Sequence, residues 1–245
     1  MLPELYDMHC HVDLMQSMSS FCAAAQRERI GILAVTTTPK AYSVEIERLS
    51  DYQHVKVSLG LHPQLISERL EEISLVERLI DGCRFIGEIG LDYNNNFYRF
   101  KEKQKNAFEQ IISWCQTAEQ KIISIHAVRS AKDVLDILEK YDCTKNNICI
   151  LHWFSDTIKQ LERAIQLGCY FSVNEYMLRS PNGLSILAHI PNDRLLIETD
   201  APFISEIKTV PQLRNSLSFC LKELSVRKGD HIAETIARAS AALLL

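Results

Sequence analysis

Residues 5–14 read LYDMHCHVDL. The run reads as a strand over 5–9 that ends on two histidines one residue apart, His9 and His11, with acids on either side. Side chains alternate between faces along a strand, so the two imidazoles project the same way, roughly 6–7 Å apart along the backbone. Two imidazoles converging on one side can hold a divalent cation. Two ordinary surface histidines would produce the same three letters, so the rest of the chain has to decide between these readings.

Short apolar, β-branched runs of the same kind recur at 32–36, 55–59, 84–88, 122–126, 148–152, 169–173 and 194–198. Helical periodicity fills the gaps. In 99–120, Phe100, Gln104, Phe108, Ile111, Ile112 and Cys115 share one face, and 130–141 and 157–168 behave similarly, the last ending at Gly168. Eight strand-then-helix units predict an α/β fold, a (β/α)8 barrel in a single domain over 1–245. The rival, an open doubly wound sheet, lacks the G-x-G-x-x-G turn after its first strand.

The totals fit one such barrel. Hydrophobic residues make up 47% of the 245, enough for a sizeable core and too many for a disordered chain. A formal net charge of -4 excludes whole-protein attraction to nucleic acid or anionic membrane, so a polyanionic substrate has to be held locally. The eight cysteines form no C-x-x-C pair and sit in apolar contexts, which fits reduced thiols better than a disulfide framework. With no basic n-region or apolar h-region at the start, the expected location is the cytoplasm, away from membranes.

Barrel enzymes build their sites at the C-terminal ends of strands. His9 and His11 close the first strand, and His62 follows the third in GLHP. Glu88 closes the fourth in GEIGLDY, His126 ends the fifth, His152 ends the sixth, and Asp200 follows the eighth in ETDAPF. Any one of these alone reads as a satisfied rim residue, but seven landings on one mouth do not. His54, His189 and His231 fall at no strand end and carry no assigned role. Imidazoles and carboxylates suit Zn²⁺, Mn²⁺ or Mg²⁺ without cysteine. The set exceeds what one tetrahedral cation requires, which points to two metals bridged by one acid, with Glu88 as the natural bridge.

These motifs together resemble the TatD family of metal-dependent hydrolases, from His9 to about Phe203. The residues that carry the likeness are HCH at 9–11, GLHP at 60–63, GEIGLDY at 87–93, the strand-end His126 and His152, and ETDAPF at 198–203. More narrowly, HCHVDL, AVTTTPKAY, GLHPQL, ILHWFS and GCYFSV are similar to QatD, the TatD-like component of the four-protein Qat anti-phage systems. The resemblance implies that His9 and His11 bind one metal with Glu88 and Asp200. It implies a second metal held by Glu88, His126 and His152. Asp200 would also take the proton from the attacking water. His62 would contact a substrate phosphate or assist the leaving group, and Glu198 would support the ligands from behind. Asp13 would cap the following helix or accept a hydrogen bond from an imidazole. Relatives hydrolyse phosphodiesters in DNA, commonly as exonucleases, so the implied partners are DNA ends or single strands and the other Qat proteins.

The substrate rim departs from that family pattern. Where many relatives carry a short HTR-like run, this chain reads HAVRSA, which moves Arg129 by one residue. Arg179 after the seventh strand is the other rim cation considered for phosphate, and Trp153 and Phe154 at the mouth either stack on a base or pack beneath the rim. The sequence supports three readings. They are a metal-dependent phosphodiesterase on DNA ends, a hydrolase of a carboxylic ester or amide such as an aminoacyl-tRNA, and a defence-complex subunit using the barrel as a scaffold.

Overall fold

The computed structural model describes residues 2–118 and 120–245. Its eight strands are β1 (Leu5–Cys10), β2 (Ile30–Val35), β3 (Val55–Ser58), β4 (Phe85–Asp92), β5 (Ile122–Val128), β6 (Ile148–His152), β7 (Tyr170–Val173) and β8 (Leu195–Ile197). Every expected run is a strand, and β4 continues beyond its expected end to Asp92. The three helical segments read from periodicity appear as Lys101–Ala118, Ala131–Lys140 and Ile158–Gln166. Glu119, inside the expected 99–120 helix, lies outside the described residues, as does Met1. Gln104 is buried on the apolar face for a polar reason. Its Oε1 accepts the Asp92 N–H at 2.7 Å and its Nε2 donates to the Asp92 carbonyl at 3.0 Å, pinning the end of β4 to that helix.

The strands pair in parallel in the order β1-β2-β3 and β4-β5-β6-β7-β8. Two seams close the ring. At one, Leu59 N–H donates to Phe85 O at 3.0 Å and Gly87 N–H to Leu59 O at 2.8 Å; at the other, His11 N–H donates to Ala201 O and Asp200 N–H to His9 O, both at 2.9 Å. The buried Asp7 carboxylate reinforces the second seam by accepting from Thr199 N–H at 2.9 Å and from the Thr199 hydroxyl. Burial pushes the Asp7 carboxyl up to about 7 against the pull of those hydrogen bonds. The product is the (β/α)8 barrel expected from the alternation. Among the described residues, no helix is long and apolar enough to cross a membrane, and all eight cysteines are free and buried.

Two irregularities in this barrel decide where the chemistry points. Tyr6, Met8, Leu33, Val35, Phe85, Ile122, Ile150 and Leu196 form one apolar cluster with Leu243 and Leu244 of the last helix, filling the barrel interior. Cys10, Ile32, Ala34, Ile86, Ile89 and Leu91 belong to the cluster beneath the surrounding helices. Strict alternation from the inward Tyr6 and Met8 would turn Cys10 inward and both histidines outward. The β1–β2 register slips between Asp7 and Cys10, however, and the β4–β5 register slips between Ile86 and Ile89. Each slip inserts one residue and reverses the facing of the residues after it, as a β-bulge does. His9, His11 and Glu88 thereby turn into the mouth.

Glycine is needed beside Glu88. Gly90 sits at φ +141°, and a Cβ there would lie 2.1 Å from the His126 carbonyl oxygen. Without side chains at Gly87 and Gly90, β4 lies close against β5, which sets Glu88 directly beside His126.

Candidate metal centre

The mouth of the barrel gathers every ligand-type residue that the sequence placed at a strand end. His9 Nε2 lies 3.4 Å from Glu88 Oε2 and 3.7 Å from Asp200 Oδ1. His11 Nε2 lies 3.3 Å and 3.5 Å from the same two oxygens. The other oxygen of Glu88 faces the opposite way. Its Oε1 is 2.6 Å from His126 Nδ1, 2.9 Å from His152 Nε2 and 3.2 Å from His62 Nε2. One carboxylate therefore faces two donor groups, one built on β1 and β8 and the other on β5 and β6, with His62 after β3 beside the second. The donor atoms of His9, His11 and Glu88 all lie within 4.8 Å of one another, and so do those of His62, Glu88 and His126.

The donors fit divalent cations. The Nε2 atom of His9 is fully buried without a hydrogen-bond partner, aimed at two carboxylates. On the same ring, Nδ1 is 2.8 Å from the Ser124 hydroxyl, which fixes the ring and leaves Nε2 free to ligate. His126 is oriented the other way round. Its Nε2 lies 3.1 Å from Asp92 Oδ2, which can hold a proton on that nitrogen, so that Nδ1, 2.6 Å from Glu88, would be the atom that ligates once its own proton is expelled. Asp92 accepts from Gln64 Nε2 at 2.7 Å and from Asn94 N–H at 2.8 Å, which holds it in place.

His62 is a different case. Its Nδ1 accepts the Gln64 backbone N–H at 3.2 Å, so the ring proton sits on Nε2, facing Glu88. Burial, with the positive charge of His126 and His11 adding to it, lowers its pKa against the pull of Glu88. Such a ring donates a hydrogen bond into the mouth and does not ligate.

Glu198 stands behind His152, with Oε1 3.7 Å from His152 Nδ1. Its oxygens accept from Asn174 Nδ2 at 2.9 Å and from the Ser172 hydroxyl, so they are already engaged. Asp13 plays neither part considered for it. The cap of helix Met18–Arg27 is Ser17, because a short 3-10 turn over Val12–Leu14 carries Asp13 away from that helix, and Asp13 Oδ1 is buried without a partner.

The rim separates the remaining candidates. Trp153 lines the mouth cavity of about 650 Å³, whereas Phe154 is fully buried and packs on Phe171. Arg179 does not reach that cavity. Its guanidinium donates to Glu175 at 2.6 Å and lies 4.3 Å from the Phe219 ring centre, because the short helix Glu175–Arg179 turns it outward. Arg129 is exposed, reaches Asn95 Oδ1 at 3.4 Å, and does not line the cavity either.

Asp92 is the residue that sequence reasoning missed. The available signal was its place in GEIGLDY, the motif that holds Glu88, with the strand continuing four residues past Glu88 to bring it onto the same face. Asp92→Asn should weaken cation binding at the His126 side about 10- to 100-fold while leaving the His9 side unchanged. Competitive titration against a chromogenic chelator would show this, and an unchanged affinity profile would remove Asp92 from the centre.

The protein's own charges are strongly coupled. Burial alone would raise the Glu88 carboxyl, yet His62, His152 and His9 with the hydrogen bond from His11 hold it well below the usual range. Burial would lower His11, but Asp200 and Glu88 push it up to about 10. His152 is likewise raised, by Glu88 and Glu198 against burial. A histidine with a raised pKa contributes stability that is complete below its ordinary value of 6.5 and lost as pH climbs through about 10. Protein stripped with chelator should therefore lose thermal stability between those two values. Cation uptake must expel the same protons, so apparent affinity should rise with pH over that window. Calorimetric titration in buffers of different ionisation enthalpy checks this, and uptake without proton release would contradict it.

Comparison with known proteins agrees with the geometry. A family model described as TatD related DNase matches residues 6–243. A protein of Buchnera aphidicola named "Uncharacterized metal-dependent hydrolase" is 27% identical over 214 residues, 83% of this chain and 80% of its own. The "Deoxyribonuclease Tat-D" of Schizosaccharomyces pombe is 32% identical over 117 residues, 48% of this chain and 37% of that one. The crystal structure of YjjV, a TatD homologue from Escherichia coli K12, matches with a TM-score of 0.83 at 21% identity, covering 100% of this chain and 99% of that one.

Proposed function

This chain belongs to the TatD-related DNase family of metal-dependent hydrolases, and from that membership we propose that it hydrolyses phosphodiester bonds at single-stranded DNA ends with two divalent cations, Zn²⁺, Mn²⁺ or Mg²⁺. The observation that carries this reading is the single Glu88 carboxylate shared by two donor groups. His9, His11, Glu88 and Asp200 would hold one cation, and Glu88, His126 and His152 would hold the other. When bound, the pair supplies the positive charge that makes water nucleophilic near neutral pH and offsets charge developing at phosphorus.

The rest of the reaction falls to side chains. Asp200, kept anionic against burial by His11, His9 and His152, accepts the proton of the attacking water. His62 donates its Nε2–H to a phosphoryl oxygen or to the departing oxygen. Asp92 and Ser124 hold the two rings they touch in the ligating orientation. The relatives carrying deoxyribonuclease names support DNA as the substrate.

We further propose a cytoplasmic role beside the other Qat proteins in anti-phage defence. Its support is the QatD-like wording between the ligands and the eight buried, unpaired thiols.

The test is a time course on single-stranded DNA labelled at either end, in Mg²⁺, in Mn²⁺ and in chelator. Mononucleotide release from one end, lost in chelator, is expected. No release with either cation would overturn the nuclease reading and move the assignment to another ester.

A further inference from the structure

We propose that the mouth recognises one unpaired terminal base by stacking it on an aromatic platform of Trp153, Tyr176 and Phe203, with no track for a longer backbone. This rests on the phosphodiesterase reading above and narrows its substrate to short or frayed single-stranded ends.

Three neighbouring arcs of the barrel supply the platform. Trp153 follows β6, Tyr176 lies just past β7, and Phe203 lies just past β8; all three line the same cavity as Glu88 and Asp200. Tyr176 and Phe203 are 60% and 63% exposed, large apolar rings held in water beside the donor cluster. The Trp153 and Tyr176 ring centres are 5.5 Å apart, and Phe203 meets the His11 ring edge-on at 5.2 Å. Isolated exposed aromatics are ordinary on a protein surface, but three converging on one reactive pocket match the way non-specific single-strand binders present rings to bases.

The platform is held rigidly to the ligands. Trp153 is the residue after His152 and sits at φ 40°, a left-handed conformation that L-residues seldom adopt. Its N–H is tied to Ser172 O at 3.2 Å. Tyr176 rides on a helical turn capped by Asn174, whose Oδ1 accepts Met177 N–H at 3.0 Å while its Nδ2 donates to Glu198, the carboxylate behind His152. Glu198 thus joins the platform to a metal ligand.

The same cavity lacks what a backbone track requires. Among the described residues, none of those lining it is a lysine or an arginine. Arg179 is engaged with Glu175 and Phe219, and Lys101 and Lys103 lie near Tyr98 and Phe100. Affinity must then come from a base face and the scissile phosphate. Such binding is tolerant of sequence, and with one phosphate contacted its salt dependence is shallow.

The experiment compares a dinucleotide with a longer single strand, each carrying either a base or an abasic sugar at the end that is cleaved. Wild-type kcat/KM should be similar for the two lengths and fall about tenfold or more when the terminal base is missing. The double variant Trp153→Ala, Tyr176→Ala should lose that discrimination, and Trp153→Phe, Tyr176→Phe should restore it. Binding is read separately in Trp114→Phe protein, where Trp153 is the remaining tryptophan. Its emission should be quenched by base-bearing ends and not by abasic ones. Equal wild-type rates on base-bearing and abasic ends would overturn the platform and leave the phosphodiesterase standing. A strong preference for the longer strand would overturn the absence of a track. Hydrolysis of none of the substrates, with no quenching, would overturn both readings together.

Discussion

Asp200→Asn should reduce turnover by about a thousandfold or more while leaving the fold intact, the upper part of the range for loss of a positioned general base. The amide keeps the shape of the side chain but cannot take up the proton released from water. Asp200 Oδ1 lies 3.5 Å from His11 Nε2 and 3.7 Å from His9 Nε2, so the same change also weakens one ligand position. These two contributions separate experimentally. Weakened ligation is relieved by raising the cation concentration, whereas the missing base is not. Residual activity should therefore stay low at saturating Mn²⁺, and its acid limb in the pH profile should flatten. The backbone there is at φ 50°, which the shared N–H to His9 O bond holds, so asparagine, tolerant of that region, is the right replacement. Near-wild-type rates in the variant would remove Asp200 from the reaction.

Glu88→Ala should abolish cation retention at both donor groups, raising the dissociation constants about 100-fold or more, because direct ligation is at stake and not only its support. Five histidines converge on this one carboxylate, and among the described residues it alone spans the two groups. His126→Ala is the informative contrast, since it touches only the group around Glu88 Oε1. Metal analysis after dialysis should show both positions emptied in the first variant and one in the second. Identical metal content in the two variants would contradict a shared bridge. The stripped Glu88→Ala protein should also take up fewer protons than wild type near neutral pH, because the anion that raises His11, His126 and His152 has gone.

Much of this centre was legible in the sequence. Parallel strands buried on both faces read as continuous apolar runs, so the eight strands stood out, and the barrel rule converts strand ends into one mouth. The ligand-type residues were visible because charged and imidazole side chains ending apolar strands need a reason. The rim was not legible in the same way. Arg179 sits one short helix past β7, and whether such a residue turns inward depends on that helix's direction, which its sequence does not encode. Trp153 and Phe154 are adjacent aromatics with opposite fates, one lining the cavity and one fully buried, and only the turn at Trp153 separates them.

The sequence by itself determined the strand–helix alternation and the closed barrel, and it placed seven candidate donors at strand ends: His9, His11, His62, Glu88, His126, His152 and Asp200. Tertiary structure alone decided which way those donors face. Alternation counted from Tyr6 and Met8 sends His9 and His11 outward, and only the register slips in β1 and β4 turn them and Glu88 inward. A bulge arises from how two strands pair and not from either strand's own residues, so no reading of one strand reveals it. The tautomers were settled in the same way. Whether His62 donates or ligates depends on the Gln64 N–H, and which nitrogen of His126 faces the centre depends on Asp92, both contacts made only once the chain has folded.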